Sequence, residues 1–215
     1  MKTFALTSTL LPLALALPSQ RLALTTLSGR ALDDINQNDV NNGLCKPVTV
    51  LFARGTTERG NMGTLTGPPF VEAVGAAVGE DNIAVQGIDY PADIPGFLAG
   101  GDADGSALMA QLVGEVMAAC PTTKLVMSGY SQGGQLVHNA ADMLSAAETE
   151  FVSSAVIFGD PNNGQAVGAL PAAKTKVFCN DGDNICEGGN LILRPHLTYS
   201  DDAGDAAAFV QANAN

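Results

Sequence analysis

The segment with the clearest chemistry is residues 129–133, with the sequence Gly-Tyr-Ser-Gln-Gly. It follows an apolar run, residues 124–128, and precedes a helical pattern that begins at Gln135. A strand, a tight turn and a helix in this order form a nucleophile elbow, in which the serine hydroxyl stands at the turn. The glycines suit this turn because its strained backbone leaves little room for nearby side chains. Ser131 is therefore the candidate nucleophile, and its chemistry would be attack on a carbonyl carbon.

A serine nucleophile needs a general base, and the chain has two histidines, His138 and His196. His138 lies seven residues after Ser131 on the predicted helix. At 1.5 Å per residue it is about 10 Å further along the axis and cannot reach the hydroxyl. His196 follows the last predicted strand, where the chain order serine, acid, histidine places the base. His196 is therefore the candidate base, and we expect His138 to be a packing or helix-surface residue.

A carboxylate that orients the base is expected between the serine and His196, beyond a late strand. Four residues qualify: Asp160, Asp181, Asp183 and Glu187. Asp181 and Asp183 lie between two cysteines whose bond would close a small ring and hold a carboxylate against a histidine, which favours them over Asp160. Asp160 also suits a strand-end turn, where it would accept backbone hydrogen bonds. Spacing alone leaves Asp181 and Asp183 as alternatives.

Acyl transfer also requires hydrogen-bond donors for the developing oxyanion. In this type of site one donor is the backbone N–H after the nucleophile, here that of Gln132. A second is expected from the loop after an early strand, where residues 54–58 have the sequence Arg-Gly-Thr-Thr-Glu. Gly55 allows close approach of the backbone, and Thr56 offers both its N–H and its hydroxyl. A glycine turn with solvent-facing threonines is the competing interpretation.

Hydrophobic patterning predicts the elements that position these residues. Five short runs, rich in β-branched or apolar residues and bounded by turn residues, predict buried strands: Val48–Arg54, Ile83–Tyr90, Lys124–Tyr130, Ser153–Asp160 and Thr175–Asn180. Helical spacing lies between them, for example at Leu108, Leu112 and Val116, and residues 201–212 predict a closing helix. This alternation predicts an α/β fold with a five-stranded parallel sheet covered by helices on both faces. Little chain remains for a lid.

Composition restricts the class of partner and cofactor. The 215 residues carry 10 Lys and Arg against 22 Asp and Glu, a formal charge of −12, which argues against nucleic acid or an anionic membrane as partner. Four cysteines without a Cys-x-x-Cys pair, and only two histidines, disfavour a metal site. In an exported chain the four cysteines imply two disulfides with three possible pairings.

The amino terminus predicts export. Lys2 precedes an apolar run, residues 4–17, and residues 14–16 (Ala-Leu-Ala) offer small side chains for cleavage. Residues 1–16 are therefore expected to be a signal peptide, and the protein to be secreted and extracellular. Residues 17–39 have weak periodicity and are expected to be a trimmed pro-segment or a flexible arm. Residues 40–215 are expected to form one catalytic domain.

Several of these motifs resemble those of the fungal cutinase family of serine esterases, a small lidless branch of the α/β-hydrolases. The match runs from about Val40 to near the carboxyl terminus. Its motifs are Arg-Gly-Thr-Thr-Glu with Gly60 and Asn61, the Gly-Tyr-Ser-Gln-Gly turn, residues 158–161 (Phe-Gly-Asp-Pro), residues 179–183 (Cys-Asn-Asp-Gly-Asp) with Cys186, and residues 195–197 (Pro-His-Leu). Separated motifs in the right order are more specific than any one alone.

The resemblance implies a catalytic triad of Ser131, Asp183 and His196, with Thr56 and Gln132 as oxyanion donors. It also implies two disulfides, which join Cys45 to Cys120 and Cys179 to Cys186. The mechanism it implies needs no metal or organic cofactor.

The implied substrate is cutin, an insoluble hydroxy fatty acid polyester, together with short to medium acyl esters. A monomer without stable membrane insertion is expected. The chain departs from the family pattern at Thr56, where serine is also common, and at Asn190 and Arg194. These departures concern substrate preference rather than the chemistry.

Two other functions stay open from sequence. An acetylxylan esterase resembles this family in fold and triad but accepts a small acetyl group on a polysaccharide. A secreted, non-catalytic binder that kept the fold is disfavoured by the intact triad and donor set. Apolar residues expected at the rim of the site favour a longer acyl chain: Ile94, Pro95, Phe97, Leu98, Leu191, Ile192 and Leu193.

Overall fold

The computed structural model describes Met1 and residues 31–214. Five parallel strands form one sheet in the order β2-β1-β3-β4-β5. Their bounds are β1 Val48–Ala53, β2 Ile83–Gly87, β3 Lys124–Tyr130, β4 Val152–Phe158 and β5 Thr175–Phe178. The predicted five-stranded parallel sheet is confirmed, and the largest difference is at β2, which ends at Gly87 rather than at Tyr90.

Six α-helices lie within residues 31–214 and cover the sheet. They are α1 Gly67–Val78, α2 Ile94–Leu98, α3 Ala103–Ala119, α4 Gln132–Met143, α5 Ala146–Phe151 and α6 Ala203–Asn213. The closing helix predicted at residues 201–212 is α6, with a 3₁₀ turn over residues 199–202 before it.

Two of these helices begin with residues that the sequence analysis did not identify as helix starts. α1 opens with Gly67, Pro68 and Pro69, a sequence that looks like a turn. Proline nevertheless suits a first helical turn, because a backbone N–H at this position would have no acceptor within the helix. α5 is short and has a capping box, in which Ser145 and Glu148 exchange side-chain to backbone hydrogen bonds.

The sheet separates two apolar cores because alternate residues of each strand face opposite sides. On one side, Leu51 and Ala53 of β1 pack with residues of α3 and α4. On the other side, Val50 and Phe52 pack with residues of α1 and α6. Burial of each larger side chain, such as Leu51 or Phe52, stabilises the fold by about 1.5–3 kcal/mol before the loss of conformational entropy is counted. Helices therefore cover both faces, as predicted.

Parallel pairing brings the carboxyl ends of four strands to one edge of the sheet. Ala53 at the end of β1 is in register with Gly129 of β3, and Tyr130 of β3 with Phe158 of β4. Phe158 in turn pairs with Phe178 at the end of β5. The segments that leave these strands carry the candidate donor, nucleophile, acid and base, so the topology brings residues distant in sequence to one place.

Residues 31–39, which fall within the expected pro-segment or arm, pack with later residues of the described chain. Leu32 is buried, Gly87 donates its N–H to the Gln37 carbonyl (2.9 Å), and the Asp39 carboxylate accepts from the N–H of Val85 (2.7 Å). These contacts fasten residues 31–39 along the edge strand β2, so this part of the expected pro-segment or arm lies within the domain. The expected signal peptide, beyond Met1, and residues 17–30 lie outside the described residues.

The two disulfides join Cys45 to Cys120 and Cys179 to Cys186. These are the pairs that the resemblance implies. No helix in the described part of the chain is long and apolar enough to cross a membrane. Residues 31–214 also contain no group of three or more His, Cys, Asp or Glu side chains placed to hold a metal ion.

Candidate active site

Ser131 occupies a sharp turn between β3 and α4. Its φ of 57° and ψ of −119° lie in a region that non-glycine residues rarely adopt. The turn has no space for side chains around it: a Cβ at Gly129 would lie 2.2 Å from the Gly133 carbonyl oxygen. A Cβ at Gly133 would lie 2.0 Å from the carbonyl oxygen of Ala53. Both positions therefore require glycine, which agrees with the steric argument from the sequence.

Three buried side chains form a continuous line of hydrogen bonds at this turn. Ser131 Oγ lies 2.9 Å from His196 Nε2, and His196 Nδ1 lies 2.8 Å from Asp183 Oδ2. His196 and Asp183 are each only 1% exposed. Because an ionised carboxylate only accepts hydrogen bonds, Nδ1 donates to Asp183, which leaves Nε2 of a neutral imidazole to accept from the serine hydroxyl.

Among the candidate acids, Asp183 is the one whose carboxylate lies against His196. Asp183 follows β5 in the turn that the Cys179–Cys186 bond closes, and its side chain points to His196. Asp181 and Glu187 are exposed on the same segment. The Asp183 carboxylate is further held by the N–H of Ile185, which donates to Oδ1 at 3.0 Å.

Two tyrosines that the sequence analysis did not single out complete the surroundings of this line. Tyr199 donates its hydroxyl to Asp183 Oδ2 (2.5 Å), and Tyr130 donates to the backbone carbonyl of His196 (2.7 Å). Burial raises the pKa of Tyr199 well above its ordinary range, and its hydrogen bond to Asp183 raises it further. Burial, followed by the charges of Glu58 and Asp183, likewise raises the pKa of Tyr130. Both phenols therefore remain protonated donors at neutral pH.

Thr56 and Gln132, the predicted oxyanion donors, contact each other. Gln132 Nε2 donates to Thr56 Oγ1 at 2.9 Å, and Thr56 lines the same cleft as Ser131. Gln132 is the first residue of α4, so its backbone N–H has no acceptor within the helix. The Glu58 carboxylate braces the Thr56 loop because it accepts from the N–H of Gly55 (2.8 Å) and, across the loop, from the N–H groups of Thr64 and Leu65.

The hydroxyl of Ser131 opens into a cleft of about 590 Å³. Besides Tyr130, six apolar residues line the cleft: Leu65, Ile94, Phe97, Leu98, Ile192 and Leu197. Four of these belong to the apolar rim expected from sequence, whereas Pro95, Leu191 and Leu193 do not line the cleft. Asn190 does line it. The site can therefore hold an apolar group next to a serine hydroxyl that is hydrogen-bonded to an imidazole.

His138 is neither a simple packing residue nor a helix-surface residue. It is buried, and its Nε2 lies 2.9 Å from Asp160 Oδ2, while Nδ1 lies 3.1 Å from the carbonyl oxygen of Ala166. The sequence gives no sign of this pair, because residues separated by 22 positions along the chain leave no local pattern when they are in contact. Asp160 also accepts from the N–H of Asn162, which is the strand-end turn contact expected of it.

A parallel sheet with helices on both faces and a serine at the turn after its central strand places the chain among the α/β-hydrolases. The cutinase family model matches residues 44–214. A cutinase of Botryotinia fuckeliana is 58% identical over 167 residues, which cover 78% of this chain and 83% of that protein. The chain therefore belongs to the cutinase family of carboxylic ester hydrolases.

Solved structures agree with this assignment. The cutinase of Trichoderma reesei, in complex with a phosphonate inhibitor, has a TM-score of 0.80 and 48% identity, with 85% of this chain and 81% of that chain covered. An acetylxylan esterase is more distant, with a TM-score of 0.64 and 26% identity over 80% of this chain and 100% of that chain.

Proposed function

We propose that this chain is a secreted serine esterase that hydrolyses the ester bonds of cutin and of short to medium acyl esters. Its catalytic triad is Ser131, His196 and Asp183. The observation that carries the proposal is the line of hydrogen bonds from Ser131 Oγ through the imidazole to the carboxylate, which opens into an apolar cleft. The names of the similar proteins, cutinases from several fungi, support the substrate.

In the first half of the reaction, His196 Nε2 takes the hydroxyl proton of Ser131 while Oγ bonds to the ester carbonyl carbon. The carbonyl electron pair moves onto oxygen, and Asp183 orients the imidazolium and stabilises its charge. Collapse of this intermediate breaks the bond to the alcohol oxygen, which leaves with the proton from His196. The acyl group is then bound to Ser131 Oγ.

In the second half, water attacks the acyl-enzyme and loses its proton to His196. The second collapse returns that proton to Ser131 Oγ and releases the carboxylic acid. In both halves the oxyanion receives hydrogen bonds from the backbone N–H of Gln132 and from Thr56, and each such donor is worth about 10²–10³ in kcat. The cycle uses only groups of this chain and water.

The apolar cleft favours an acyl chain longer than acetate. A pocket selective for acetate needs bulk close to the serine that excludes longer chains. Here the cleft beside Ser131 has a volume of about 590 Å³ and is lined by Ile94, Phe97, Leu98, Ile192 and Leu197. Ile94, Leu98 and Ile192 are also more than half exposed, so they are available to an insoluble polyester. The acetylxylan esterase remains the second candidate because such an enzyme shares the fold at 26% identity.

An ester panel tests the proposal. We expect faster hydrolysis of p-nitrophenyl butyrate and longer esters than of the acetate, together with release of hydroxy fatty acids from cutin. In Ser131→Ala, kcat should fall by about 10⁶-fold while the circular dichroism spectrum stays unchanged, because the hydroxyl contributes little to burial. Cleavage of acetate esters and acetylated xylan, with butyrate and cutin left intact, would replace cutinase by acetylxylan esterase. A fully active, folded Ser131→Ala variant would contradict the mechanism.

Secretion, removal of residues 1–16 and a monomeric state complete the proposal. Two disulfides suit an oxidising compartment outside the cytosol. The fate of residues 17–39 can be measured by amino-terminal sequencing of protein from a culture medium. Because residues 31–39 pack against β2, we expect any cleavage beyond the signal peptide to stop before Ala31.

A further inference from the structure

The side chain of Gln132 makes contacts that its backbone role does not require. It is fully buried at the start of α4, and its Nε2 lies 2.9 Å from Thr56 Oγ1 and 2.8 Å from the carbonyl oxygen of Asp93. One amide group thus connects the nucleophile turn, the loop after β1 and the residue that caps α2.

The orientation of this amide follows from the chemistry of its neighbours. The Asp93 carbonyl can only accept, so the group that faces it must be the NH₂ of Gln132 and not its oxygen. The second N–H of this group then donates a hydrogen bond to Thr56 Oγ1. Because the oxygen of Thr56 is the acceptor in this bond, its own hydroxyl proton is left for donation to another group.

The same amide also holds the rim of the cleft. Asp93 caps α2, where its side chain accepts from the N–H of Gly96 (2.7 Å), and α2 carries three of the residues that line the cleft, Ile94, Phe97 and Leu98. Gln132 Oε1 is buried near Gly96, where an added Cβ would lie only 2.8 Å from it, and this oxygen makes no hydrogen bond within residues 31–214. A buried carbonyl without a partner is unfavourable, and the two hydrogen bonds of the NH₂ group offset part of this cost.

We propose that the side chain of Gln132 is a positioning residue that turns the Thr56 hydroxyl proton toward the oxyanion. The proposal rests on the proposed function, in which Thr56 and the Gln132 backbone N–H are the oxyanion donors. The Gln132 side chain touches no reacting atom and acts through Thr56. Its contribution should therefore appear only when residue 56 carries a hydroxyl.

A double-mutant cycle tests this dependence. Gln132→Met keeps the backbone N–H and approximates the side-chain volume, but it removes both hydrogen bonds that the side-chain amide donates. Thr56→Val removes the hydroxyl with nearly the same shape. With p-nitrophenyl butyrate, we expect Thr56→Val to lower kcat by about 10²-fold and Gln132→Met by about 10-fold, with KM changed less than kcat. The two substitutions together should cost no more than Thr56→Val alone, within about threefold.

Matched variants separate positioning from a structural effect. In a Thr56→Ser background, which keeps a hydroxyl, Gln132→Met should again lower kcat by about 10-fold. Gln132→Glu should lower kcat further, since a carboxylate would accept a hydrogen bond from the Thr56 hydroxyl and its charge would also oppose the oxyanion. Only the part of this loss that acts through the hydroxyl should vanish with Thr56→Val. Titration of active sites with a phosphonate ester normalises every rate to folded enzyme, so a variant that folds poorly still gives a kcat.

The outcomes are distinct. If Gln132→Met costs the same factor with valine at position 56 as with threonine, the side chain does not act through the hydroxyl and the inference is wrong. The same holds if kcat is unchanged in Gln132→Met. Failure of the proposed function would instead appear as a fully active Ser131→Ala variant, measured in the same assay.

Discussion

His138 and Asp160 form a second buried histidine–carboxylate pair, separate from the proposed triad. Asp160 is 0% exposed, and the contacts of His138 with it and with the Ala166 carbonyl fasten the segment after β4 to α4. Neither residue lines the cleft. The pair is therefore expected to contribute to stability rather than to chemistry.

Replacement of His138 should expose this difference. We expect His138→Leu to lower the free energy of unfolding by about 3–5 kcal/mol, because it leaves the Asp160 carboxylate buried without its partner. The addition of Asp160→Asn should recover part of that loss, since no charge then stays buried. Urea denaturation measures both effects, and kcat per active site should change little. A folded but inactive His138→Leu variant would give His138 a catalytic role that this geometry does not provide.

The two disulfides act on elements of very different size. Cys45–Cys120 links the segment before β1 to the end of α3 across 75 positions, whereas Cys179–Cys186 spans 7 positions around Asp183. In the chain-entropy model, closing these loops stabilises the folded state by about 4.5 and about 2.5 kcal/mol, respectively. The disulfide that closes the longer loop should therefore contribute more to stability. The shorter one closes the turn that places Asp183 next to His196.

Separate removal of each bond tests this division of roles. A Cys45→Ala/Cys120→Ala variant should lose the larger share of unfolding free energy in urea yet keep most of its kcat per active site. A Cys179→Ala/Cys186→Ala variant should lose less stability but more kcat, because the Asp183 turn is no longer closed. The reverse pattern, with activity lost mainly in the first variant, would contradict the assignment of a bracing role to the small ring.

Across the whole molecule, all three tyrosines are buried or engaged in hydrogen bonds that oppose ionisation. Burial is the main cause that raises the pKa of Tyr90, Tyr130 and Tyr199 above the ordinary value of 10.0. At alkaline pH the unfolded chain therefore binds fewer protons than the folded one. The stability from these groups is complete below pH 10 and decreases as the pH rises above it.

We therefore expect the free energy of unfolding to fall above about pH 10, with tyrosinate absorbance rising in the same cooperative step as unfolding. The chain has no tryptophan, so tyrosine dominates the near-ultraviolet signal. Tyr199→Phe should weaken the pH dependence in this range because one of the three groups is removed. Gradual ionisation of all three tyrosines near pH 10 in a chain that remains folded would contradict this prediction.

The sequence by itself determined the features that depend on residues close together along the chain. Strand patterning predicted all five strands and the covered parallel sheet, and the glycines around Ser131 predicted the sharp turn, because side-chain periodicity and turn sterics act over a few residues. The same local signals did not locate the start of α1, because its Gly-Pro-Pro sequence looks like a turn. They also predicted a longer β2, which ends at Gly87 where the sheet pairing stops.

Only the tertiary structure decided which distant side chains meet. Spacing could not choose between Asp181 and Asp183, because the choice depends on the path of the closed turn relative to His196. The pairing of His138 with Asp160 and the contact of Gln132 with Thr56 likewise depend on which strand ends lie side by side. Such contacts are set by strand order and loop closure, which join positions tens of residues apart and leave no periodic signal along the chain.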